Sequence, residues 1–260
     1  MLFLYFFRRD HFAKIRDMKA LIGMILLWGV GGSWCFSQAL HGTESLWFIF
    51  VLIGLQPIFT IITSALLLGE HPRGSFYAFA ATTFFASILL TLGDTGFTLD
   101  ASATQSYIYA ILTAIFWGSS TTLSKIVITH NSSLYTLALR FFFTGVIGWI
   151  IVFASHEMMS VGEIFGKIAL QPTNILFLIF VSDILATGAY YRGLREVPAT
   201  LATIFELTFP LTGFILDYIL YEVTPSPMKV VAACVILTSI VILPYCHFLE
   251  ENTTAQRVSA

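Results

Sequence analysis

Two carboxylates stand inside long apolar runs, where an ionised group is costly. Glu206 lies near the middle of the run 198–220, and Asp183 lies near the middle of the run 173–191. A carboxylate at the centre of a bilayer costs about 2.5 to 3.5 kcal/mol, so each acid should face a bundle interior or a wet cavity. Such a pair could exchange a proton for a cationic or zwitterionic solute. Alternatively, each acid is a structural group held by a hydroxyl or by Arg140.

The segment from Leu201 to Glu222 is long enough to cross a bilayer, and its backbone can satisfy its own hydrogen bonds there only as a helix. One stripe of that helix carries polar or helix-perturbing residues at spacings of four, three and four positions: Glu206, Pro210, Gly213 and Asp217. We expect this stripe to face the protein interior. Asp217 lies about one turn from the helix end, so it could simply reach water.

Aromatic and amide side chains in other runs could complete a binding site. Their rings accept apolar or cationic groups while their polar tips fix orientation, which favours five substrate-wall candidates: Trp34, Trp117, Tyr190, Tyr191 and Gln38. The alternative is that they only pack. Arg140 could pair with an intramembrane acid, or its side chain could reach the cytoplasmic interface.

Pro57 and Pro210 each remove a backbone donor within a predicted helix. A proline at such a position kinks the helix and frees a carbonyl that could line a cavity. We therefore expect both prolines to be structural residues, and each kink could be either static or a hinge.

The composition is that of a polytopic membrane protein, since 57% of the 260 residues are hydrophobic, 11% are charged and the mean hydropathy is +0.84. A net charge of -2 gives no basic surface for nucleic acid. Three cysteines without ligand spacing predict neither a metal site nor a cofactor: Cys35, Cys234 and Cys246. ATP-driven transport is disfavoured because no GxxxxGK[ST] loop is present.

Apolar runs bounded by Gly, Pro, Asn or charge predict an all-α bundle of eight transmembrane helices: 20–40, 46–68, 75–93, 106–127, 134–154, 173–191, 198–220 and 228–246. Alternating the connecting loops places eleven of the thirteen Lys and Arg residues on one side. We therefore expect a protein of the plasma or inner membrane with both termini in the cytoplasm and a cytoplasmic tail, 247–260.

The chain also contains an internal repeat. A Gln-Pro pair, an apolar helix and a glutamate span 56–70, and a Phe-Pro pair, an apolar helix and a glutamate span 209–222, about 153 positions later. We expect each glutamate to start the following helix, where its charge suits the dipole. The predicted orientation places the two copies with opposite topology, as in many secondary transporters. Superposing 20–93 on 173–246 should then require an axis in the membrane plane.

The two repeats are predicted to be unequal. The second, 106–246, begins with two helices whose counterparts in the first, 1–93, would precede residue 1. We therefore expect the first repeat to lack about one and a half helices, and an open groove to lie beside the second. An inactive truncated fragment is accordingly one of the alternatives.

Together these features resemble the drug/metabolite transporter superfamily, in particular its EamA-type members. The resemblance rests on four segments: Trp117-Gly118-Ser119-Ser120 with Lys125, Leu139-Arg140-Phe141, Pro210 to Glu222, and Pro57 to Glu70, which echoes the third. It implies two inverted five-helix repeats with ten spans in all, of which about eight are present here.

The resemblance further implies alternating-access transport, often export, of a small metabolite, an amino-acid-like compound or a drug. The expected partners are that small molecule and the lipid bilayer, and a homodimer stays open. A rival is an intramembrane enzyme acting on lipids, but such enzymes usually need clustered acid-base or metal-binding side chains. The six histidines of this chain fall in loops or at span ends and form no such cluster.

Overall fold

The computed structural model describes residues 17–41, 46–72, 74–92, 103–154, 166, 170–221 and 226–259, and over this part the chain is helical, without strands. In chain order the helices are α1 Met18–His41, α2a Leu46–Ile53, α2b Gln56–Leu68, α3 Gly74–Leu92, α4 Thr104–His130, α5 Ser133–Ala154, α6 Pro172–Glu196, α7a Ala199–Glu206, α7b Phe209–Tyr221 and α8 Pro227–Ser259. The predicted all-α polytopic bundle is confirmed.

The eight apolar runs of the sequence correspond to α1 through α8. Within the described residues, six helices are long and apolar enough to cross a membrane, and shorter apolar helices cover Ala199–Thr212 and Pro227–Leu243. One boundary differs clearly, because α8 continues to Ser259 where a tail was predicted from 247. That segment contains neither Pro nor Gly, and its Glu, Ala, Gln and Arg residues are good helix formers.

Two pairs of helix irregularities recur at the spacing of the sequence repeat. Wider π-helical stretches interrupt α1 at Ile25–Gly32 and α6 at Leu178–Ala186, and they begin 153 positions apart. The helical breaks of α2 at 54–55 and α7 at 207–208 are also 153 positions apart. The backbone irregularities therefore recur at the spacing of the sequence repeat, and the division of the chain into two repeats stays a prediction.

Helix α2b, the second half of α2, runs antiparallel to α7a, the first half of the helix that corresponds to α2 at the spacing of the repeat. Side-chain hydrogen bonds join the start of one to the end of the other: Gln56 with Glu206, Thr60 with Thr203, and Glu70 with the backbone of Ala199. An antiparallel relation between corresponding helices is what inverted topology requires. The symmetry axis itself stays a prediction.

Helix α4 is central and packs against α1, α2a, α2b and α6. Its approach to α2b depends on Gly118, because a Cβ atom there would lie 2.5 Å from the backbone oxygen of Gln56. A buried core that includes Met24, Ile128 and Tyr191 joins α1, α4, α5 and α6. Large apolar side chains on the outside of α5, α6 and α8 are exposed, as a surface toward lipid requires.

Candidate functional site

A cavity of about 550 Å³ lies where the breaks of α2 and α7 face each other. Each break contributes four lining residues: Ile53, Gly54, Gln56 and Pro57 from α2, and Glu206, Leu207, Phe209 and Pro210 from α7. Residues of α1, α3, α4, α5 and α6 complete the wall. The volume lies within the range of small-molecule sites, roughly 300 to 1,000 Å³, and the mostly apolar lining with a few polar groups is typical of them.

Glu206 is the last residue of α7a, and its carboxylate joins four helices. It accepts hydrogen bonds from the amide of Gln56 on α2b and from the hydroxyl of Tyr190 on α6. The hydroxyls of Thr121 on α4 and Thr203 on α7a each lie 3.5 Å from one of its oxygens. All four partners are donors toward Glu206, so both carboxylate oxygens are engaged.

The break at 207–208 corrects the predicted stripe. Glu206 ends one helical segment and Pro210 begins the next, so the spacing of the stripe residues does not follow one continuous helix. Glu206 and Pro210 still meet, because both line the cavity. The side chains of Gly213 and Asp217 lie outside the described residues.

The two prolines start helices instead of kinking them from within. Pro57 lies in the first turn of α2b and Pro210 in the first turn of α7b, each just after a break. Proline is well tolerated there, because the first backbone N–H groups of a helix have no intrahelical acceptor. Both prolines line the cavity, and a hinge role stays a prediction.

Arg140, from α5, is the second charged side chain of the cavity and is only 2% exposed. Its Nη1 donates to the hydroxyl of Tyr191, and its guanidinium carbon lies 3.0 Å from the centroid of the Trp28 ring. Its Nε and Nη2 have no hydrogen-bond partner among the described residues. Arg140 forms no ion pair with an acid among the described residues, and its guanidinium is buried against Trp28 and Tyr191.

The cavity wall contains three of the five predicted members: Trp117, Tyr190 and Tyr191. Trp117 lines the cavity, with its ring centroid 6.1 Å from that of Trp28 and 5.2 Å from that of Phe36. Tyr190 also lines it, beside Tyr191. The indole edge of Trp117 packs closely on Gly32 of α1, where a Cβ would lie 2.5 Å from Nε1.

Three predicted residues lie elsewhere. Trp34 is 54% exposed and makes an edge contact with Tyr109, and Gln38 is exposed one turn later on α1. Asp183 is partly buried on α6 but does not line the cavity, although its neighbour Ser182 does. Trp34 and Gln38 follow the π-helical stretch of α1, and Asp183 lies within that of α6. Wider turns shift the phase of a helix, so an α-helical period does not assign faces across them.

Beneath Glu206, buried hydroxyls close the space between α2b, α4 and α7a. This hydroxyl cluster consists of Thr60, Thr63, Ser64, Thr122 and Thr203. The hydroxyl oxygen of Thr122 lies 2.8 Å from that of Thr63 and 2.9 Å from that of Ser64. Thr60 donates to the carbonyl of Gly118 at 3.1 Å. Four of the five side chains have no exposed surface, so the cavity does not continue through this contact.

Beyond the hydroxyl cluster, two charged side chains hold the junction of α6 and α7a. The carboxylate of Glu70 accepts from the backbone N–H groups of Ala199 and Thr200, both at 3.0 Å. Lys125 donates to three carbonyls at the end of α6, those of Leu194, Arg195 and Val197, each at 2.8 Å. We call Glu70 and Lys125 the junction clamp. Each interaction is favourable, because the positive Lys125 meets the negative end of the α6 dipole and the negative Glu70 meets the positive end of the α7a dipole.

The junction clamp corrects one prediction. Glu70 was expected to start the next helix in the chain, α3, but it binds the start of α7a instead. The carboxylate does bind the positive end of a helix dipole, as expected, but the helix is α7a and not α3. Residues far apart in the chain form this contact, so the order of the sequence does not reveal it. The corresponding Glu222 lies outside the described residues.

Sequence reasoning did not single out Gln56, the hydroxyl cluster or the aromatic residues Trp28 and Phe36 as site residues. The run Ser119 to Thr122 was a usable signal, because four consecutive hydroxyls in an apolar helix need partners. Gln56 carried a second signal, since a polar amide directly precedes the repeated proline.

Residues 104–244, more than half of the chain, match the EamA-like transporter family. The chain belongs to this family, which confirms the predicted resemblance. The riboflavin transporter ImpX of Fusobacterium nucleatum subsp. nucleatum (strain ATCC 23726 / VPI 4351) is 31% identical over 233 residues, which cover 86% of this chain and 76% of that protein. A solved crystal structure shares the fold with a TM-score of 0.69 and 14% identity, covering 88% of this chain and 75% of the other.

Proposed function

We propose that this protein is a secondary transporter that binds a small metabolite in the cavity and moves it across the plasma or inner membrane by alternating access. The observation that carries the proposal is the meeting of two helix breaks, 153 positions apart, at one cavity. Broken helices at the interface of inverted repeats form the binding sites of many secondary transporters. The hydrogen bond between Gln56 and Glu206 joins the two breaks directly.

The wall of the cavity favours a planar aromatic substrate. Trp28, Phe36 and Trp117 pack side by side along it, and such rings bind planar molecules by stacking. The relative from F. nucleatum is named a riboflavin transporter. Riboflavin, a planar heteroaromatic molecule, is therefore the first substrate to test.

The predicted orientation would place the junction clamp near the cytoplasm. In that orientation the hydroxyl cluster closes the cytoplasmic route, and the cavity belongs to an outward-facing state. A fluorescent protein that matures only in the cytoplasm, fused after Ala260, tests the orientation. Fluorescence supports a cytoplasmic C-terminus, and a dark fusion of equal abundance contradicts it.

We do not propose an enzymatic activity. Within the described residues there is no group of three or more His, Cys, Asp or Glu side chains that could hold a metal ion. The acidic group of the cavity, Glu206, has its oxygens engaged by four donors.

The test is riboflavin flux into and out of liposomes that contain the purified protein. We expect flux above that of empty liposomes, and a loss of about tenfold or more in Glu206→Gln, because the amide cannot accept at both positions. Glu196→Gln, the same change at an exposed position on α6, should keep the flux. If neither riboflavin nor a panel of other aromatic metabolites moves, the transport proposal fails.

A further inference from the structure

We propose that Arg140 determines substrate specificity by binding a hydrogen-bond-acceptor edge of the transported molecule. The acceptor edge is a carboxylate, or a carbonyl oxygen beside an acceptor nitrogen on a planar ring. This inference rests on the proposed transport function and specifies the chemical group that the site recognises in its substrate.

The first step is that Arg140 forms no close ion pair in the part of the chain that the structure describes, although its charge interacts at longer range with that of Asp183. Among the described residues, neither Asp183 nor Glu206 comes within ion-pair distance of its guanidinium. Glu206 accepts hydrogen bonds from Gln56 and Tyr190 instead. A permanent cation buried in a membrane protein is costly unless it is paired, and intramembrane charges commonly mark substrate pathways.

The second step is the identity of the unpaired atoms. Nη1 is bound to the Tyr191 hydroxyl, whereas Nε and Nη2 have no partner. Nε and Nη2 form one edge of the planar guanidinium, with two parallel N–H groups. That arginine fork matches two acceptor oxygens of a carboxylate or a similar planar group.

The third step is that the fork is held in place. Tyr191, which is 1% exposed, has its hydroxyl oxygen 3.3 Å from that of Ser124. The Trp28 ring lies flat against the other side of Arg140. A guanidinium fixed at one nitrogen and on one face loses little further freedom when a ligand binds, which favours affinity.

The fork is covered in this structure, since Nε and Nη2 have almost no exposed surface. Arg140 and Trp28 both line the cavity, so a movement of the Trp28 ring is the smallest change that would bring a ligand to the fork. The ring would then stack on the ligand that replaces it. Substrate binding and uncovering of Arg140 are thus one step.

The test uses the full-length protein in nanodiscs and three probes that separate the two sources of acceptor. Riboflavin offers a carbonyl oxygen beside an acceptor nitrogen on a neutral ring, indole-3-acetate offers a carboxylate, and indole offers the ring alone. Binding of all three probes is measured by thermal stabilisation. Riboflavin binding is also measured by quenching of tryptophan fluorescence, which the two indole probes do not allow because they fluoresce as tryptophan does. The variants are Arg140→Lys, Arg140→Gln and Tyr191→Phe, with Arg192→Gln as the control at an exposed position.

We expect the wild type to bind riboflavin or indole-3-acetate, and Arg140→Lys to weaken that binding about tenfold or more, because a lysine keeps the charge but not the fork. Indole binding should not differ between them. The preferred probe identifies the source of the acceptor. If Arg140→Gln fails to fold, Arg140→Lys alone tests the inference. Thermal melting of each variant without ligand shows whether it folds.

Equal affinity of the wild type and Arg140→Lys for both acceptor probes would overturn the inference. So would a wild type that binds neither of them. These outcomes are distinct from failure of the transport proposal, because riboflavin flux that is unchanged in Arg140→Lys leaves transport standing and removes only the role of Arg140.

Discussion

Gln56 and Glu206 are hydrogen-bonded to each other, and each stands beside the break in its own helix. In the predicted division of the chain one residue belongs to each repeat, and this bond would then cross the interface between the repeats. The breaks at 54–55 and 207–208 supply the cavity with backbone that is not regular α-helix. Such backbone is tolerated at membrane depth only where protein or a cavity surrounds it.

The first prediction concerns this bond. Gln56→Leu and Glu206→Gln should each lower the melting temperature or the flux, and the double variant should lose less than the sum of the two. Hydrogen bonds to a charged group contribute about 1.5 to 3 kcal/mol, so the coupling should be measurable. A double-mutant cycle of denaturant-dependent stability checks it. Strict additivity would mean that the two residues act independently.

The second prediction concerns the junction clamp. Lys125→Met leaves three carbonyls without their donor, and Glu70→Gln weakens the cap of α7a, so both should favour a state that is open at this end. The opening is measured with Ser64→Cys in a protein whose native cysteines are replaced. Position 64 has no exposed surface, so a thiol reagent reaches the new cysteine only when this end opens. We expect labelling several-fold faster in both variants.

Lys19→Met provides the control for the clamp, because this lysine is exposed on α1. The Ser64→Cys protein that also carries Lys19→Met should be labelled as slowly as the Ser64→Cys protein alone. Equal labelling in all four proteins would show that the clamp supports the fold without closing the route.

The third prediction concerns the contact of α4 with α2b. Gly118→Ala places a methyl group 2.5 Å from the backbone oxygen of Gln56, and overpacking of this kind costs about 1 to 3 kcal/mol. Gly145→Ala on α5 meets nothing within 4 Å and should be neutral or slightly stabilising. Melting temperatures in the same detergent compare the two. A Gly118→Ala protein as stable as Gly145→Ala would contradict the close approach.

The fourth prediction separates the aromatic residues. Trp117→Ala removes cavity wall and should weaken riboflavin binding about tenfold or more, whereas Trp34→Ala should leave it unchanged, since Trp34 lies outside the cavity. Fluorescence titration of riboflavin measures both. Equal losses in the two variants would place the binding site elsewhere.

The fifth prediction concerns Asp183. Because it neither lines the cavity nor forms an ion pair with Arg140, Asp183→Asn should bind the acceptor probes with wild-type affinity. A large loss of affinity, with folding intact, would restore the paired-acid hypothesis drawn from the sequence.

The transmembrane helices and the internal sequence repeat could be predicted from the sequence, because apolar length and self-similarity are properties of consecutive residues. It also identified Glu206, since a mid-membrane carboxylate is expensive wherever its partners lie. It did not reveal that Glu70 binds Ala199, because that pairing depends on how distant segments meet. Trp34 and Asp183 were proposed from residue type and depth alone, which do not show which face of a helix lines a cavity. Both helices also contain π-helical stretches, which shift those faces.

The shared irregularities also bear on how the chain arose. A π-helical turn accommodates an extra residue, and losing one residue would rotate the rest of the helix by about 100°. The π-helical stretches begin 153 positions apart, and so do the breaks that follow them. No net insertion or deletion therefore separates these landmarks in the two copies. This equal spacing is what duplication of a single half that already carried both irregularities would produce.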